Sequence, residues 1–365
     1  MAVLRDVTIR EGAQMPGRKY GVEARVAAAR ALDRLDVDAV QVGFPVVGET
    51  DRTAIRRVAG DDGVDADAVG IARARTDDVE AALSAEADAI EVFVPTSARQ
   101  LENVLGKSRP EAMEMAAAAL DRAREGDAVV HLTLVDGFRT DPAHLADAFD
   151  RFPSVPTITV ADTVGARTPD HVRTAVVDVL DRGVDGDRLG VHFHDDVGVA
   201  VANTLAAVGA GATTADVSVA SLGERAGNAA LERVVVGDRI DGAGVFDLDE
   251  AELVPVCETV LDALDESVDP RTPILGGDVT THESGIHTAA MLRDPATFEP
   301  FDPAEFGGER RLVFGPGSGR GSARTLLKRS GVEPTDERVA RLLDLLAEQG
   351  PMDAAAASEL VEERF

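Results

Sequence analysis

Two histidines two residues apart, His192 and His194, close a run from Leu189 that reads as a β-strand. Alternate residues of a strand point to one side, so both imidazoles can reach one point in space. Arg10 and Glu11 near the amino terminus and Asn228 further on add a guanidinium, a carboxylate and an amide. Glu11, His192, His194 and the Asn228 amide oxygen form a ligand set of intermediate hardness. It suits a divalent metal ion, Zn²⁺, Mn²⁺, Co²⁺ or Mg²⁺, and without a thiolate it does not choose among them. Three or four protein ligands leave positions open for a pair of substrate oxygens, a catalytic rather than a structural arrangement. Arg10 sets a permanent positive charge beside that point, a donor typically worth about 2.7–4 kcal/mol where an enolate or alkoxide develops. Each residue alone has a plainer reading, His-x-His as core packing and Arg-Glu as a surface ion pair. The combination carries the inference.

The elements that must position these groups are strands alternating with helices. Short β-branched runs at Val3–Ile9, Ala39–Val42, Ala68–Ala72, Ala89–Val94, Val129–Leu134, Thr157–Val160, Leu189–His194 and Ala215–Val219 predict eight strands. Segments of helical period fill the gaps, among them Ala24–Leu35, Pro110–Glu125, Pro169–Asp181 and Val199–Val208. Eight such units predict the α/β class and a closed (β/α)8 TIM barrel over residues 1–250. Closure is also required by the chemistry, because Arg10 and Glu11 follow strand one, the histidines end strand seven and Asn228 follows strand eight. Those strands are neighbours only in a closed sheet, and the carboxyl ends of barrel strands are where catalytic groups gather.

Residues 251–365 change character: one helix, Asp249–Leu264, then Pro- and Gly-rich stretches at Arg271–Gly277 and Glu299–Arg320, then short helices. Strand signals are too few for a regulatory β-domain, so this part reads as a small, mainly helical subdomain serving as cover or dimerisation arm. Gly315–Gly321 has four glycines in seven residues. It lacks the Gly-Lys-Ser/Thr ending of a phosphate loop, and no strand is expected before it.

Composition sets the outer limits. The formal net charge of −29, with only three lysines among 37 basic residues, argues against nucleic acid as a partner. Abundant Asp, scarce Lys and many small residues point to a salt-accumulating, halophilic source whose counterions screen the self-repulsion. No apolar run approaches the roughly 20 residues that cross a bilayer, and Arg5 and Asp6 stand where a signal peptide is apolar, so a cytoplasmic protein with no membrane partner is expected. The single cysteine, Cys257, excludes an intramolecular disulfide and reads as a packing residue.

With these residues in view, the chain resembles the acyl-CoA-dependent condensing enzymes, the homocitrate, 2-isopropylmalate and citramalate synthases. The resemblance lies in Leu4–Gln14 (LRDVTIREGAQ), His192–Asn203 (HFHDDVGVAVAN) and Leu222–Asn228 (LGERAGN). It continues through Gly43–Pro45, Phe138–Asp141, Ala161–Gly165 and His282–His287, in the family's order, to about Gly319. It implies a Claisen-type condensation of acetyl-CoA with a small-molecule 2-oxo acid. Position by position it assigns metal binding to Glu11, His192, His194 and Asn228, and polarisation of the keto oxygen to Arg10. Gln14, Arg139 and Thr163 match oxo-acid-binding positions, and His287 matches a proton-transfer position in the subdomain over the barrel mouth. A homodimer is also implied.

The departures fall on proton handling. Ala13 stands where an acid is usual, Val135 where the family has a glutamate, and Gln41 and Gln100 where many members have Glu and His. Phe298 replaces a tyrosine of homocitrate synthases, and Pro316 and Gly317 interrupt a Gly-Lys-His-Ser-Gly pattern. A phenyl ring cannot transfer a proton and valine cannot ionise. Glu11 as first ligand with His-Phe-His leans towards homocitrate synthase and 2-oxoglutarate. 2-Isopropylmalate or citramalate synthase stays open, as do a metal-dependent carbon–carbon lyase and a catalytically silent paralogue.

Overall fold

The computed structural model describes residues 1–365. Eight parallel strands close into a barrel in chain order: β1 (Val3–Asp6), β2 (Ala39–Gly43), β3 (Asp67–Arg73), β4 (Ala89–Pro95), β5 (Val129–Val135), β6 (Ile158–Asp162), β7 (Leu189–Phe193) and β8 (Thr214–Val217). The ring is completed by β1 on β8, from Val3 opposite Thr214 to Asp6 opposite Val217. Strands β2, β6 and β7 are buried along their whole length, as expected for parallel strands covered on both faces. The expected helices form at Val22–Asp33, Arg109–Ala123, Pro169–Leu180 and Ala200–Val208. Arg109–Ala123 starts at a reciprocal cap, in which the Ser108 hydroxyl accepts from the Glu111 N–H and the Glu111 carboxylate accepts from the Ser108 N–H.

The first strand is shorter than the sequence suggests. Val3–Ile9 was expected as one strand, yet it stops at Asp6, and Thr8–Gly12 is a helical turn. The Asp6 carboxylate accepts from the Thr8 N–H at 2.8 Å and from the Thr8 hydroxyl at 2.7 Å. That local bond competes with the strand ladder and turns the chain. Arg10 and Glu11 therefore ride on a helical turn, not on a strand end.

Barrel interiors are usually filled by layers of Val, Ile and Leu; this one carries a charged layer. Arg5 of β1 donates to Asp216 of β8 at 2.7 Å and to Thr159 of β6 at 2.7 Å, and lies 3.6 Å from Glu91 of β4. All four side chains are buried. Opposite charges held in mutual hydrogen bonds offset the cost of removing them from water.

A second buried acid has only a distant partner, Arg233 Nε at 3.8 Å. Glu232, in helix Leu231–Ile240, accepts from the Ala220 N–H at 3.0 Å, while its other oxygen has no hydrogen bond. Burial, against the opposing backbone bonds, raises its pKa to about 7. The folded state therefore keeps a proton that the unfolded chain sheds above about pH 4.3, so the carboxyl's contribution to stability is lost as pH rises from there through about 7. Glu232→Gln should gain stability relative to the parent over that window, by up to about 3 kcal/mol, read from denaturant midpoints at pH 5 and pH 8. Parallel pH profiles for the two proteins would refute it.

By internal contacts the chain forms two compact units, Met1–Asp249 with Val256–Ser267, and Glu250–Pro255 with Val268–Phe365. The expected helix at Asp249–Leu264 begins as a 3-10 turn, Glu250–Glu252, and continues as Leu253–Leu264, with Cys257 buried and unbonded to any other cysteine. The second unit is mostly helical, with Arg320–Arg329, Asp336–Gln349 and Ala354–Arg364 around Phe314, Leu326, Leu342 and Leu346. It also contains a small sheet that the sequence did not predict: β9 (Thr281–His282), β10 (Arg311–Phe314) and β11 (Met352–Asp353), in the order β11-β10-β9. Two of these strands are two residues long, too short to show alternation. Strand β10 thus precedes Gly315–Gly321, correcting the expectation of none, although the segment still lacks the lysine of a phosphate loop. No helix is long and apolar enough to cross a membrane.

Candidate active site at the carboxyl ends of the barrel strands

Glu11, His192 and His194 converge, all three buried, with one ligand atom of each within 4.8 Å of the others. The two Nε2 atoms lie 3.4 Å apart, and His192 Nε2 lies 3.5 Å from Glu11 Oε1. Donors about 2.1 Å from one ion at tetrahedral angles lie about 3.4 Å from each other, so this spacing fits a shared metal ion. Unspent bonding capacity agrees with that, since Glu11 Oε2 and His194 Nδ1 are buried with no hydrogen-bond partner.

The electrostatics prepare the lone pairs. His192 Nδ1 lies 3.0 Å from the Asp216 carboxylate, which fixes the proton on Nδ1 and leaves Nε2 bare. Burial alone would raise the Asp216 pKa, but Arg5 and His192 outweigh it and hold it at about 2. Burial and the neighbouring His192 push His194 down to about 3, so it is neutral at ordinary pH. Glu11 is also held below its usual range: burial opposes ionisation, and the Arg10 guanidinium, hydrogen-bonded to the carboxylate, overcomes it.

Asn228 reaches this cluster through a backbone bridge between His194 and Asn228. Its Nδ2 lies 3.2 Å from His192 Nε2, while Oδ1 is buried without a partner. A half-turn of the amide exchanges the two and presents the oxygen. Glycine is required in this loop: a Cβ on Gly223 would sit 2.0 Å from Asn228 Oδ1, and Gly227, at φ +89°, would meet Ser221 O at 1.7 Å.

Arg10 is held on both sides. Its Nε and Nη2 donate to Gln41 Oε1 at 2.9 and 2.6 Å, and Nη1 donates to Glu11. Gln41 Nε2 in turn donates to Glu91 at 2.6 Å. Gln41 thus grips the arginine through a neutral oxygen while passing its amide hydrogens to the charged layer below.

A cavity of about 180 Å³ opens here, lined by Arg10, Glu11, Gln14, Thr163, His192 and His194 together with Phe44, Ile71, Phe93, Val135 and Ala161. Thr163 Oγ1 accepts from the Asp136 N–H at 2.8 Å, so its hydroxyl proton is free to point into the space. Arg139 is not brought to this cavity: both Nε and Nη2 donate to Asp136 at 2.7 Å. His287 lies in the second unit, on helix Gly285–Met291, stacked on Phe298 with ring centroids 4.1 Å apart. Gln100 and Ala13 do not line the cavity either.

Sequence reasoning missed Arg5, Glu91 and Asp216. The signal was available for two of them, each a single charge between apolar neighbours in a strand, Ile90-Glu91-Val92 and Ala215-Asp216-Val217, whereas Arg5 stands between Leu4 and Asp6. A charge in a strand buried on both faces must find a partner.

A closed parallel barrel with an imidazole–carboxylate cluster and an arginine at the strand ends defines a class, the TIM-barrel enzymes with their catalytic groups at the carboxyl ends of the strands. Comparison with known proteins narrows it. Residues 2–260 match the HMGL-like family and residues 274–350 the homocitrate synthase post-HMGL domain-like family. A probable 2-isopropylmalate synthase of Methanopyrus kandleri is 37% identical over 347 residues, covering 94% of this chain and 69% of its own. The homocitrate synthase AksA of the same organism is 35% identical over 367 residues, covering 99% and 91%. The HMG-CoA lyase of Bacillus subtilis superposes with a TM-score of 0.63 at 20% identity, over 74% of this chain and 96% of that one, a likeness of fold alone. The chain belongs to the HMGL-like family, in the group of homocitrate and 2-isopropylmalate synthases.

Proposed function

We propose that the protein condenses acetyl-CoA with a 2-oxo acid and hydrolyses the resulting thioester. The observation that carries this is the Glu11–His192–His194 cluster with Arg10 beside it at one cavity. Those three residues, with the Asn228 amide turned to present its oxygen, would hold a divalent ion. When bound, the ion supplies Lewis-acid polarisation and a two-point anchor for a 2-oxo acid. Arg10 donates to the keto oxygen as it gains charge, and the Thr163 hydroxyl and Gln14 orient the oxo acid. The acetyl methyl group loses a proton, its carbon bonds to the keto carbon, the former keto oxygen takes a proton, and water cleaves the thioester to release CoA and a 2-hydroxy acid. Val135 cannot accept the methyl proton. Arg139, tied to Asp136, acts by fixing the turn whose N–H meets Thr163.

A second groove, of about 540 Å³, supports the acyl-CoA reading. It shares Arg10, Gln14 and Phe44 with the cavity and adds Arg18, Lys19 and Arg25, with Asp51 its one acid. Arg25 is paired with Asp51 and Arg18 with Glu266, which leaves Lys19 as the unpaired cation for the CoA phosphates. A concentration of positive charge in a chain of −29 is a site for an anion.

The relatives are nearly equidistant, 37% for a 2-isopropylmalate synthase and 35% for a homocitrate synthase, so identity does not choose the oxo acid. Val135 and Phe298 favour a second reading, a paralogue that binds without turnover. The test is free CoA measured with acetyl-CoA and one of several 2-oxo acids, with Mn²⁺, Mg²⁺ or Zn²⁺ in molar KCl. CoA released only when an oxo acid is added supports condensation; an oxo acid or aldehyde formed from a 2-hydroxyacyl compound without CoA release supports a lyase. Binding without either product supports the silent paralogue.

A further inference from the structure

The walls of the cavity bear on which oxo acid it takes. Its apolar side is continuous: Phe44 and Phe93 meet edge to face at 5.8 Å, and Ile71, Val135 and Ala161 line the same space. Its polar side is acidic. Glu11, Glu91, Asp216 and Glu224 face it, and Arg10 is its single cation. Three of Arg10's nitrogens are already engaged, two on Gln41 and one on Glu11. Of the nearby cations outside it, Arg139 is held by Asp136 and Arg225 by Asp196 at 2.8 Å, while the unpaired Lys19 lines the adjoining groove and not this cavity.

A 2-oxo acid anchored through its carboxylate and keto oxygen at the ion that Glu11, His192 and His194 would hold must lay its remaining substituent against these walls. An alkyl substituent loses water-exposed apolar area there and gains contact with Phe44, Ile71, Phe93 and Val135. A second carboxylate would give up its hydration for a space with no uncommitted cation, the acids Glu91, Asp216 and Glu224 being themselves paired with Arg5 and Arg225, and burying an unpaired charge is strongly unfavourable. We infer that this cavity selects 2-oxo acids bearing a short alkyl substituent and rejects those bearing a second carboxylate. The inference rests on the condensation reading for the anchoring end and departs from the sequence's leaning towards 2-oxoglutarate. That leaning came from Glu11, His-Phe-His and Ala161–Gly165, most of which touch the anchoring end shared by all 2-oxo acids, whereas the apolar walls, Ala161 among them, touch the end that differs. Val135 has a double part in this: the position that lacks an ionisable group also extends the apolar surface.

The test separates binding from turnover. Dissociation constants for 2-oxoisovalerate, 2-oxobutyrate and 2-oxoglutarate are measured by calorimetry on the manganese-loaded protein in molar KCl, with CoA release followed in parallel. The expected result is binding of one or both alkyl acids at least about 100-fold tighter than 2-oxoglutarate, an unpaired buried charge being among the costliest substitutions a site can face. Val135→Arg, which places a cation in the apolar wall, should move the ratio towards 2-oxoglutarate by at least about tenfold. Equal or tighter binding of 2-oxoglutarate by the parent protein overturns the inference and leaves condensation standing if CoA is still released. Selective binding of the alkyl acids with no CoA release upholds the inference and removes the condensation reading. An unchanged ratio in a folded, metal-binding Val135→Arg protein overturns the assignment of that wall.

Discussion

Replacing His192 by alanine should cost the protein its divalent ion and its turnover in a single step. His192 is the central member of the cluster, 3.4 Å from His194 Nε2 and 3.5 Å from Glu11 Oε1, and the only one of the three with a carboxylate behind its ring. Removing it leaves one imidazole, one carboxylate and the neutral Asn228 amide, a donor that does not replace an imidazole lone pair. Loss of an outer-shell partner alone typically costs 10–100-fold in affinity, and loss of a ligand costs more. The fold should survive, because the ring caps a barrel whose β7 is otherwise Leu189, Gly190, Val191 and Phe193. The measurement is metal content by mass spectrometry after gel filtration, together with CoA release. A variant that lacks metal and still turns over would remove the cluster from the mechanism.

Arg10→Lys should separate what His192→Ala joins. The ion should stay, since Glu11, His192 and His194 are untouched, while kcat falls by about 10²–10³, the cost of losing one donor aimed at developing charge. The guanidinium spans Gln41 on one side and Glu11 on the other; a lysine ammonium is a point charge and cannot hold both at that geometry. The loss should appear in kcat and kcat/KM alike, with KM for the oxo acid little changed, because the interaction strengthens only in the transition state. Unchanged kcat would take Arg10 out of the reaction and leave it a structural brace for Gln41.

The barrel was legible in the sequence because its strands are strongly patterned and because the chemistry demanded closure: Glu11, His192 and Asn228 could meet only if β1 met β8. The cluster itself was legible through the two-residue spacing of the histidines. The Asp6–Thr8 turn was not, since its four β-favouring neighbours outweigh a side-chain bond that only geometry reveals. Nor was the charged floor of Arg5, Glu91 and Asp216, because a period-two pattern tells which way a residue points but not which strand faces it across a ring. Arg139 illustrates the limit of carrying roles between chains. Its motif matches, yet Asp136, left-handed at φ +59°, takes up its guanidinium.

The bond from Arg5 to Asp216 spans 211 positions of the chain. A growing polypeptide therefore carries that arginine without its hydrogen-bonded carboxylate until the eighth strand has been made, and His192, 24 positions before Asp216, waits for the same residue to orient its ring. Competence arrives late and all at once. Premature termination before the eighth strand should yield a product that is inert, not one that is partly active, because the ring stays open and His192 stays unoriented.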